Sequence, residues 1–233
     1  MDIFYSDIID SSKVELPSSE SHHCLTVLRK GVGDDIEVLD GKGNRYICKI
    51  TDNSNKKVVA SILNKIFYAN KQSGVHLVIA PTKSHDRIEW FVEKSIEIGV
   101  SRISFIKTDR TLRKKINIDR INRIALSAMK QSGQFYLPIV NNLDSFNNVI
   151  SKISEEQRFI AHLEDEKREK ISDIYDRSND CCIMIGPEGD FTIEEIDLAK
   201  KNNFKNITLG NSRLRTETAG VYAVSIVKIL NEQ

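Results

Sequence analysis

The hydrophobic rhythm of the chain changes once, near residue 74. Up to about residue 68, apolar and polar positions alternate in short runs separated by turn clusters. Asp34-Asp35-Ile36-Glu37-Val38-Leu39 leads into the turn cluster Asp40-Gly41-Lys42-Gly43-Asn44, and residues 45–50 then alternate as a strand does. Residues 58–66 read as another strand after the polar Asp52-Asn53-Ser54-Asn55 turn. One short helix is expected from near Ser19, carrying residues 22–28 with Val27 and Leu28 toward the core. This is the profile of a small β-barrel.

From Gly74 onward, strands and helices alternate. Strands are expected over 75–80, 102–107, 158–163, 181–185 and 207–209. A helix over 86–99 puts Ile88, Phe91, Val92 and Ile96 on one face, and Trp90 reads as packing beside them. The helix over 119–131 points Ile121, Ile124, Ala125 and Ala128 inward. A further helix is expected over 144–153. Another opens at Thr192, with Glu195 three residues on as a capping box, and the last spans 216–231. Such alternation implies a parallel sheet covered on both faces. Two domains follow, residues 1–68 and 74–233, with a linker over 68–73.

Composition narrows the picture only a little. Hydrophobic residues at 40% suffice for a sizeable core. A formal charge of +1 argues neither for nor against nucleic acid, so a partner has to be read from local charge. Residues 107–123 hold Lys107, Arg110, Arg113, Lys114, Lys115, Arg120 and Arg123 against Asp109 and Asp119. Such a run is usually a solvated face, yet it is the best electrostatic footprint for phosphates in this chain. No signal peptide or bilayer-length apolar run is evident, and the four cysteines show no C-x-x-C spacing. Cys181 and Cys182, adjacent in an expected strand, face opposite sides and read as packing residues. A cytoplasmic protein without membrane or metal is the expectation. The acidic run Glu164-Asp165-Glu166 reads as surface rather than a metal site.

Candidate chemistry gathers in two loops near the C-terminus. Ile185-Gly186-Pro187-Glu188-Gly189-Asp190-Phe191 and Leu209-Gly210-Asn211-Ser212-Arg213-Leu214-Arg215-Thr216-Glu217-Thr218-Ala219-Gly220 each follow an apolar run and enter a helix. Both loops therefore fall at the same edge of a parallel sheet, where ligands of α/β proteins bind. Neither the G-x-G-x-x-G fingerprint nor a Walker lysine is present, which disfavours a dinucleotide enzyme or an NTPase.

These loops resemble the second and third cofactor loops, I-G-P-E-G-G-F-S and L-G-x-R-I-L-R-x-E-T-A, of the RsmE family. Its members are bacterial SPOUT methyltransferases that act on N3 of a uridine in 16S ribosomal RNA of the small subunit. Three further segments agree in order along the chain. Glu20-Ser21-His22-His23 with Val27-Leu28-Arg29 is similar to the H-H-x-x-x-V-L-R signature. Lys83, Trp90, Glu93-Lys94 and Glu97-Ile98-Gly99 match the K-x-x-x-x-x-W region, and Gln131-Ser132 matches E-Q-S. Asp190 stands where glycine is commoner, and Ser212 and Arg213 stand where the family often has Arg and Ile.

The resemblance implies an α/β protein: a C-terminal SPOUT domain whose parallel sheet carries a deep trefoil knot, and an N-terminal PUA-like RNA-binding β-barrel. It also implies a homodimer, S-adenosyl-L-methionine as cofactor, and 16S rRNA or the small ribosomal subunit as partner. Leu163, Ile185, Gly186, Pro187, Glu188, Gly189, Leu209, Gly210, Leu214 and Ala219 are the cofactor-binding candidates. Arg213, Arg215 and Glu217 are the catalytic candidates. The arginines would stabilise charge developing on the base or hold phosphate, and Glu217 is either a base or a helix-capping carboxylate, an ambiguity Glu188 shares. RNA-binding candidates are His22, His23, Arg29, Lys83, Arg110, Arg113 and Lys114, the histidine pair being equally readable as packing. A SPOUT enzyme acting on another RNA, or a non-catalytic ribosome-assembly protein with this fold, are the alternatives.

Overall fold

The structure, a computed structural model, describes residues 2–70, 74–164 and 167–233. The expected 68–73 linker and the acidic run at 164–166 therefore lie partly outside the described residues. The chain divides into two compact units, one of Met1–Lys71 with Met129–Leu137 and one of Gln72–Ala128 with Pro138–Gln233.

The first unit is a six-stranded sheet built from β1 (Ile3–Tyr5), β2 (Ile8–Ile9), β3 (Lys13–Glu15), β4 (Asp35–Leu39), β5 (Asn44–Asp52) and β6 (Val59–Phe67), in the order β1-β4-β5-β6-β3-β2. Strand β5 alternates as its sequence indicates, with Tyr46, Cys48 and Ile50 buried against Phe4, Val14, Leu16, Ile36, Val38 and Ala60. Helix α1 (Ser18–His22) passes into a π-helical turn over His23–Val27, closed by the Leu28 N–H donating to the His23 carbonyl at 3.0 Å. The wider winding keeps Cys24 in the core but rotates its neighbours outward. Val27 is 59% exposed and Leu28 is exposed as well, contrary to the core-facing pair expected from sequence.

The Asp40–Asn44 turn is a docking point within this unit. The Asp40 carboxylate accepts from the N–H groups of Lys42 (2.7 Å) and Asn44 (3.1 Å). Residues 129–137 lie over it: Gly43 N–H donates to the Phe135 carbonyl (3.0 Å), and Leu137 N–H donates to the Gly41 carbonyl (2.9 Å). The Tyr136 hydroxyl donates to the Tyr68 carbonyl at 2.9 Å, and the rings of Tyr68 and Phe135 stack with centroids 3.7 Å apart. A Cβ at residue 43 would stand 2.4 Å from the Tyr136 hydroxyl oxygen, so only glycine fits there. Lys130 adds an ion pair to Glu20 at 2.6 Å.

The second unit is an all-parallel sheet of β7 (Val75–Ile79), β8 (Arg102–Lys107), β9 (Ile139–Ser145), β10 (Gln157–Ala161), β11 (Glu169–Lys170), β12 (Cys181–Ile185) and β13 (Lys205–Thr208), in the order β11-β13-β10-β12-β7-β8-β9. Its helices are α2 (His85–Ile98), α3 (Ile118–Ser132), α4 (Phe146–Lys152), α5 (Ile171–Ile174), α6 (Ile193–Lys201) and α7 (Thr216–Glu232). One core cluster joins Val78, Ile160, Cys182 and Met184 of the strands to Phe146, Val149 and Ile150 of α4 and to Ile196 and Ala199 of α6. On the strand-and-helix arrangement of the other face, Gly220 of α7 meets Phe91 of α2 and Ile79 of β7. All four cysteines are buried and free, and Cys181 and Cys182 point to opposite faces as alternation requires.

Several boundaries differ from expectation. Strand β9 runs through Ser145, which then caps α4 by accepting from the Asn148 N–H at 3.3 Å, so the helix starts two residues later than the 144 expected. Strand β10 ends at Ala161, leaving Leu163 in the loop beyond it. Trp90 is 43% exposed rather than packed, because it lies about 200° around α2 from Ile88, off the Ile88-Phe91-Val92-Ile96 stripe. The capping box at α6 is formed: Thr192 accepts from Glu195 N–H (3.2 Å) and Glu195 accepts from Thr192 N–H (2.9 Å).

At the N-terminal ends of the strands sits a buried polar chain. His76 Nδ1 bonds Glu155 Oε1 (2.8 Å), His76 Nε2 bonds the Ser104 hydroxyl (2.7 Å), and Asn141 donates to Ser104 (2.8 Å). Burial alone would raise the Glu155 pKa, but the hydrogen bond and charge of His76, with Arg102 at 3.5 Å, outweigh it and hold it at about 2. The Cys182 sulfur lies within 4.8 Å of the His76 and Glu155 ligand atoms, the one such potential metal-ligand group among the described residues. Both His76 nitrogens are already engaged within the chain, which accounts for the cluster without an ion.

Candidate cofactor and methyl-transfer site

Three loops at the C-terminal edge of the parallel sheet enclose a cavity of about 380 Å³. Ala161, His162, Leu163 and Arg168 line it after β10. Ile185, Gly186, Pro187, Glu188 and Asp190 line it after β12. From the end of β13 into α7 come Ile207 to Gly210, Ser212 to Glu217 and Ala219, with Arg87 reaching in from α2.

The β12 loop is pinned from every side. The Asp190 carboxylate accepts from the Leu163 N–H at 2.7 Å and from the Phe191 N–H at 2.8 Å, while Asp190 itself holds a left-handed φ of 62°. Arg110 Nη1 donates to the carbonyls of Gly189 (2.8 Å) and Phe191 (3.2 Å). The Thr216 hydroxyl donates to the Gly186 carbonyl (3.1 Å), tying this loop to the start of α7. The Glu188 carboxylate accepts from the Lys83 N–H (3.0 Å). Arg113 completes the frame from the far side, donating to the carbonyls of Thr82 (2.9 Å) and Lys83 and meeting the His85 ring. Gly210, at φ 115°, takes a conformation that L side chains rarely adopt, and the space beside it is open.

The cavity brings together nine of the ten cofactor candidates and all three catalytic candidates. The exception is Gly189, whose missing Cβ faces Arg110 at 3.3 Å rather than the cavity. Arg213 and Arg215 are exposed at the rim, whereas Glu217 is buried at 6% exposure, with Arg87 Nε 3.6 Å from its Oε1. Arg215 is the N-cap residue of α7 and makes no side-chain cap bond. His22, His23 and Arg29 lie exposed on the first unit, His22 near the Thr26 hydroxyl (3.3 Å) and His23 edge-on to Phe4. Lys83 and Lys114 are exposed, while Arg110 and Arg113 spend their guanidinium donors on loop carbonyls. Sequence reasoning missed Arg87, His162, Arg168 and Thr216, which no motif marks as ligand-facing. Arg87 enters only because α2 packs beside α7.

A volume near 380 Å³ with apolar walls from Leu163, Ile185, Leu209 and Leu214, and glycine backbone at the turn, suits a nucleoside-sized ligand. Two family models match the chain: an RNA methyltransferase domain over residues 69–228 and an RNA methyltransferase PUA domain over residues 16–63. The fold and cavity are thus those of an RNA methyltransferase joined to a PUA module. A curated relative, the ribosomal RNA small subunit methyltransferase E of Mesomycoplasma hyopneumoniae, is 32% identical over 191 residues, covering 77% of this chain and 79% of its own. A probable rRNA-methyltransferase from Porphyromonas gingivalis superposes with a TM-score of 0.92 at 35% identity, covering 100% of this chain and 99% of that one. A ribosomal RNA small subunit methyltransferase E from Neisseria gonorrhoeae, bound to S-adenosyl methionine, gives 0.87 at 29% identity, covering 99% and 98%. The chain belongs to the ribosomal RNA small subunit methyltransferase E family of RNA methyltransferases.

Proposed function

We propose that this chain methylates N3 of a specific uridine in 16S rRNA of the small ribosomal subunit, using S-adenosylmethionine. The observation that carries this reading is the three-loop cavity, because its walls are the segments whose sequences resemble the family's cofactor loops. When bound there, the cofactor supplies an electrophilic methyl on a sulfonium. Leu163, Ile185, Leu209 and Leu214 offer apolar walls, and the backbone of Gly186 to Glu188 and of Gly210 offers close-approach polar groups. The tethers from Asp190, Arg110 and Thr216 hold those loops in place before the ligand arrives, so positioning is built in.

N3 of uridine carries a proton at neutral pH, so the site needs a base and a positive group for the charge that develops on the ring. Arg213 and Arg215, which line the cavity at its rim, are the candidates for the ring or for phosphate, and Glu217 is the candidate for the proton. His22, His23 and Arg29 of the first unit, with Lys83 and Lys114 of the second, are the RNA-facing candidates, while Arg110 and Arg113 serve the loop frame. A homodimer, a cytoplasmic location and the trefoil-knotted path of the C-terminal segment belong to the same proposal. No helix among the described residues is long and apolar enough to cross a membrane.

Mass spectrometry of small-subunit RNA from a strain lacking this protein tests the target. Loss of N3-methyluridine at one site, restored by the wild-type chain, is the expected result; an unchanged modification map would defeat the proposal.

A further inference from the structure

Glu217 is a largely buried side chain whose carboxylate opens onto the cavity and pairs only loosely with Arg87. It is the second residue of α7 and lines the cavity at 6% exposure. Among the described residues no donor comes within hydrogen-bonding distance of it, and its nearest cation, Arg87 Nε, stands 3.6 Å away. Its oxygens open onto the cavity, where an acceptor without a protein donor is available to a ligand. Beside it stand the Arg87 guanidinium and the N-terminal end of α7. Arg87 is half-exposed, and with one N–H group turned toward Glu217 it has further donors in the same cavity.

We propose that Arg87 and Glu217 together read the hydrogen-bonding edge of the target uracil and that Glu217 removes its N3 proton, an assignment that rests on the uridine N3-methylation proposed above. The uracil edge presents an N3–H donor flanked by two carbonyl acceptors. A carboxylate beside a guanidinium is its complement: Glu217 accepts from N3–H while Arg87 donates to the adjoining carbonyl oxygen, where negative charge grows as the proton leaves. Cytosine presents a lone pair at N3, which would face the Glu217 carboxylate unpaired, so the same pair rejects it. In the transfer step the N3 proton passes to Glu217 and the nitrogen electron pair forms the bond to the methyl carbon. The carbon–sulfur bond breaks with its pair staying on sulfur, and Arg87 keeps its charge throughout. The other charged or titratable side chains lining the cavity are His162, Arg168, Glu188, Asp190, Arg213 and Arg215. A change of pH profile that appears in the Glu217 variant alone separates its role from theirs.

The test uses the full chain with small ribosomal subunits, in Glu217→Gln and Arg87→Met forms. Circular dichroism and a thermal melt serve as the folding control. Glu217→Gln is expected to keep the wild-type melt and, with cofactor saturating, to lose about a hundredfold or more in methyl-transfer rate at neutral pH. Its residual rate should then climb about tenfold per pH unit, because only pre-ionised uracil reacts. Subunits carrying 5-fluorouridine, whose N3–H is more acidic, should restore much of the loss in the variant and little in wild type. Arg87→Met, at a half-exposed position that tolerates truncation, should lose about tenfold and show the same partial rescue. A Glu217→Gln rate equal to wild type would overturn the assignment. So would a loss of the same factor at every pH that fluorouridine does not relieve, or an unaltered rate in Arg87→Met. Absence of transfer by the wild-type chain would instead overturn the underlying reading, and this assignment with it.

Discussion

The carboxylate of Asp190 and the backbone N–H of Leu163, 27 residues apart, are joined by a hydrogen bond of 2.7 Å that laces the β10 and β12 loops together at the cavity edge. Asp190 holds a left-handed φ of 62°, a turn that glycine takes most readily, so here it is kept by a residue type that tolerates it and gains an anchor. Asp190→Ala is expected to weaken S-adenosylmethionine binding about tenfold, the value of one charge-assisted hydrogen bond on a partly wet loop. Asp190→Asn, whose amide oxygen accepts the same bond, should stay within about threefold. Calorimetric titration decides; an alanine variant with native affinity would mean the loops keep their geometry without the anchor.

Gly210 makes a second, conformational demand on the same pocket. At φ 115° a side chain is strained whatever room surrounds it. Gly210→Val should cost the cofactor about tenfold to a hundredfold in affinity while the thermal melt of the chain moves little, since the turn is exposed. Titration alongside circular dichroism separates the two; an affinity unaltered by the substitution would place the cofactor away from this turn.

Gly220 is needed for packing instead. A Cβ there would lie 2.7 Å from Phe91 Cε2 and 3.0 Å from Ile79 Cδ1. Gly220→Val is expected to destabilise the fold by about 1–3 kcal/mol through overpacking. Shortening the obstacle in Gly220→Val/Phe91→Leu should return part of that in a denaturant titration. Simple additivity of the two changes would argue that the clash is relieved elsewhere.

Glu155 carries a pH dependence whose direction follows from its lowered pKa. The folded carboxyl ionises more readily than the unfolded one at 4.5, so its contribution is complete above about 4.5 and is lost as pH falls toward about 2. Glu155→Gln should cost about 1.5–3 kcal/mol at neutral pH and flatten the acid limb of the stability curve. Urea titrations at stepped pH would show it; parallel acid limbs for the two proteins would rule the network out as the source.

Much of the second unit was legible because its buried strands are continuous apolar runs and its helices carry clear stripes. Strand β9 was not, since Ile139 to Ser145 is largely exposed and mixes polar with apolar side chains at a sheet edge. Strand β11 is two exposed charged residues held by backbone pairing to β13, which no side-chain pattern can announce. In the site, Gly186 and Gly210 stood out because glycine after an apolar run has few other uses. Asp190 stood out as a departure, but its partner Leu163 could not be read from a distance of 27 residues. Arg87 reaches Glu217 across 130 positions of chain that only tertiary packing brings together. The π-helical turn reversed the expected facing of Val27 and Leu28 because sequence periodicity assumes ordinary helical winding.

The first unit also has an order of assembly written into it. Its glycine turn at 41–43 is completed by Phe135, Tyr136 and Leu137, so a polypeptide ending at residue 70 lacks part of its own framework. During synthesis from the N-terminus, strands β7 and β8 and most of α3 leave the ribosome before that piece arrives. The module made first is therefore finished only midway through the making of the second, and neither can be excised at a single cut.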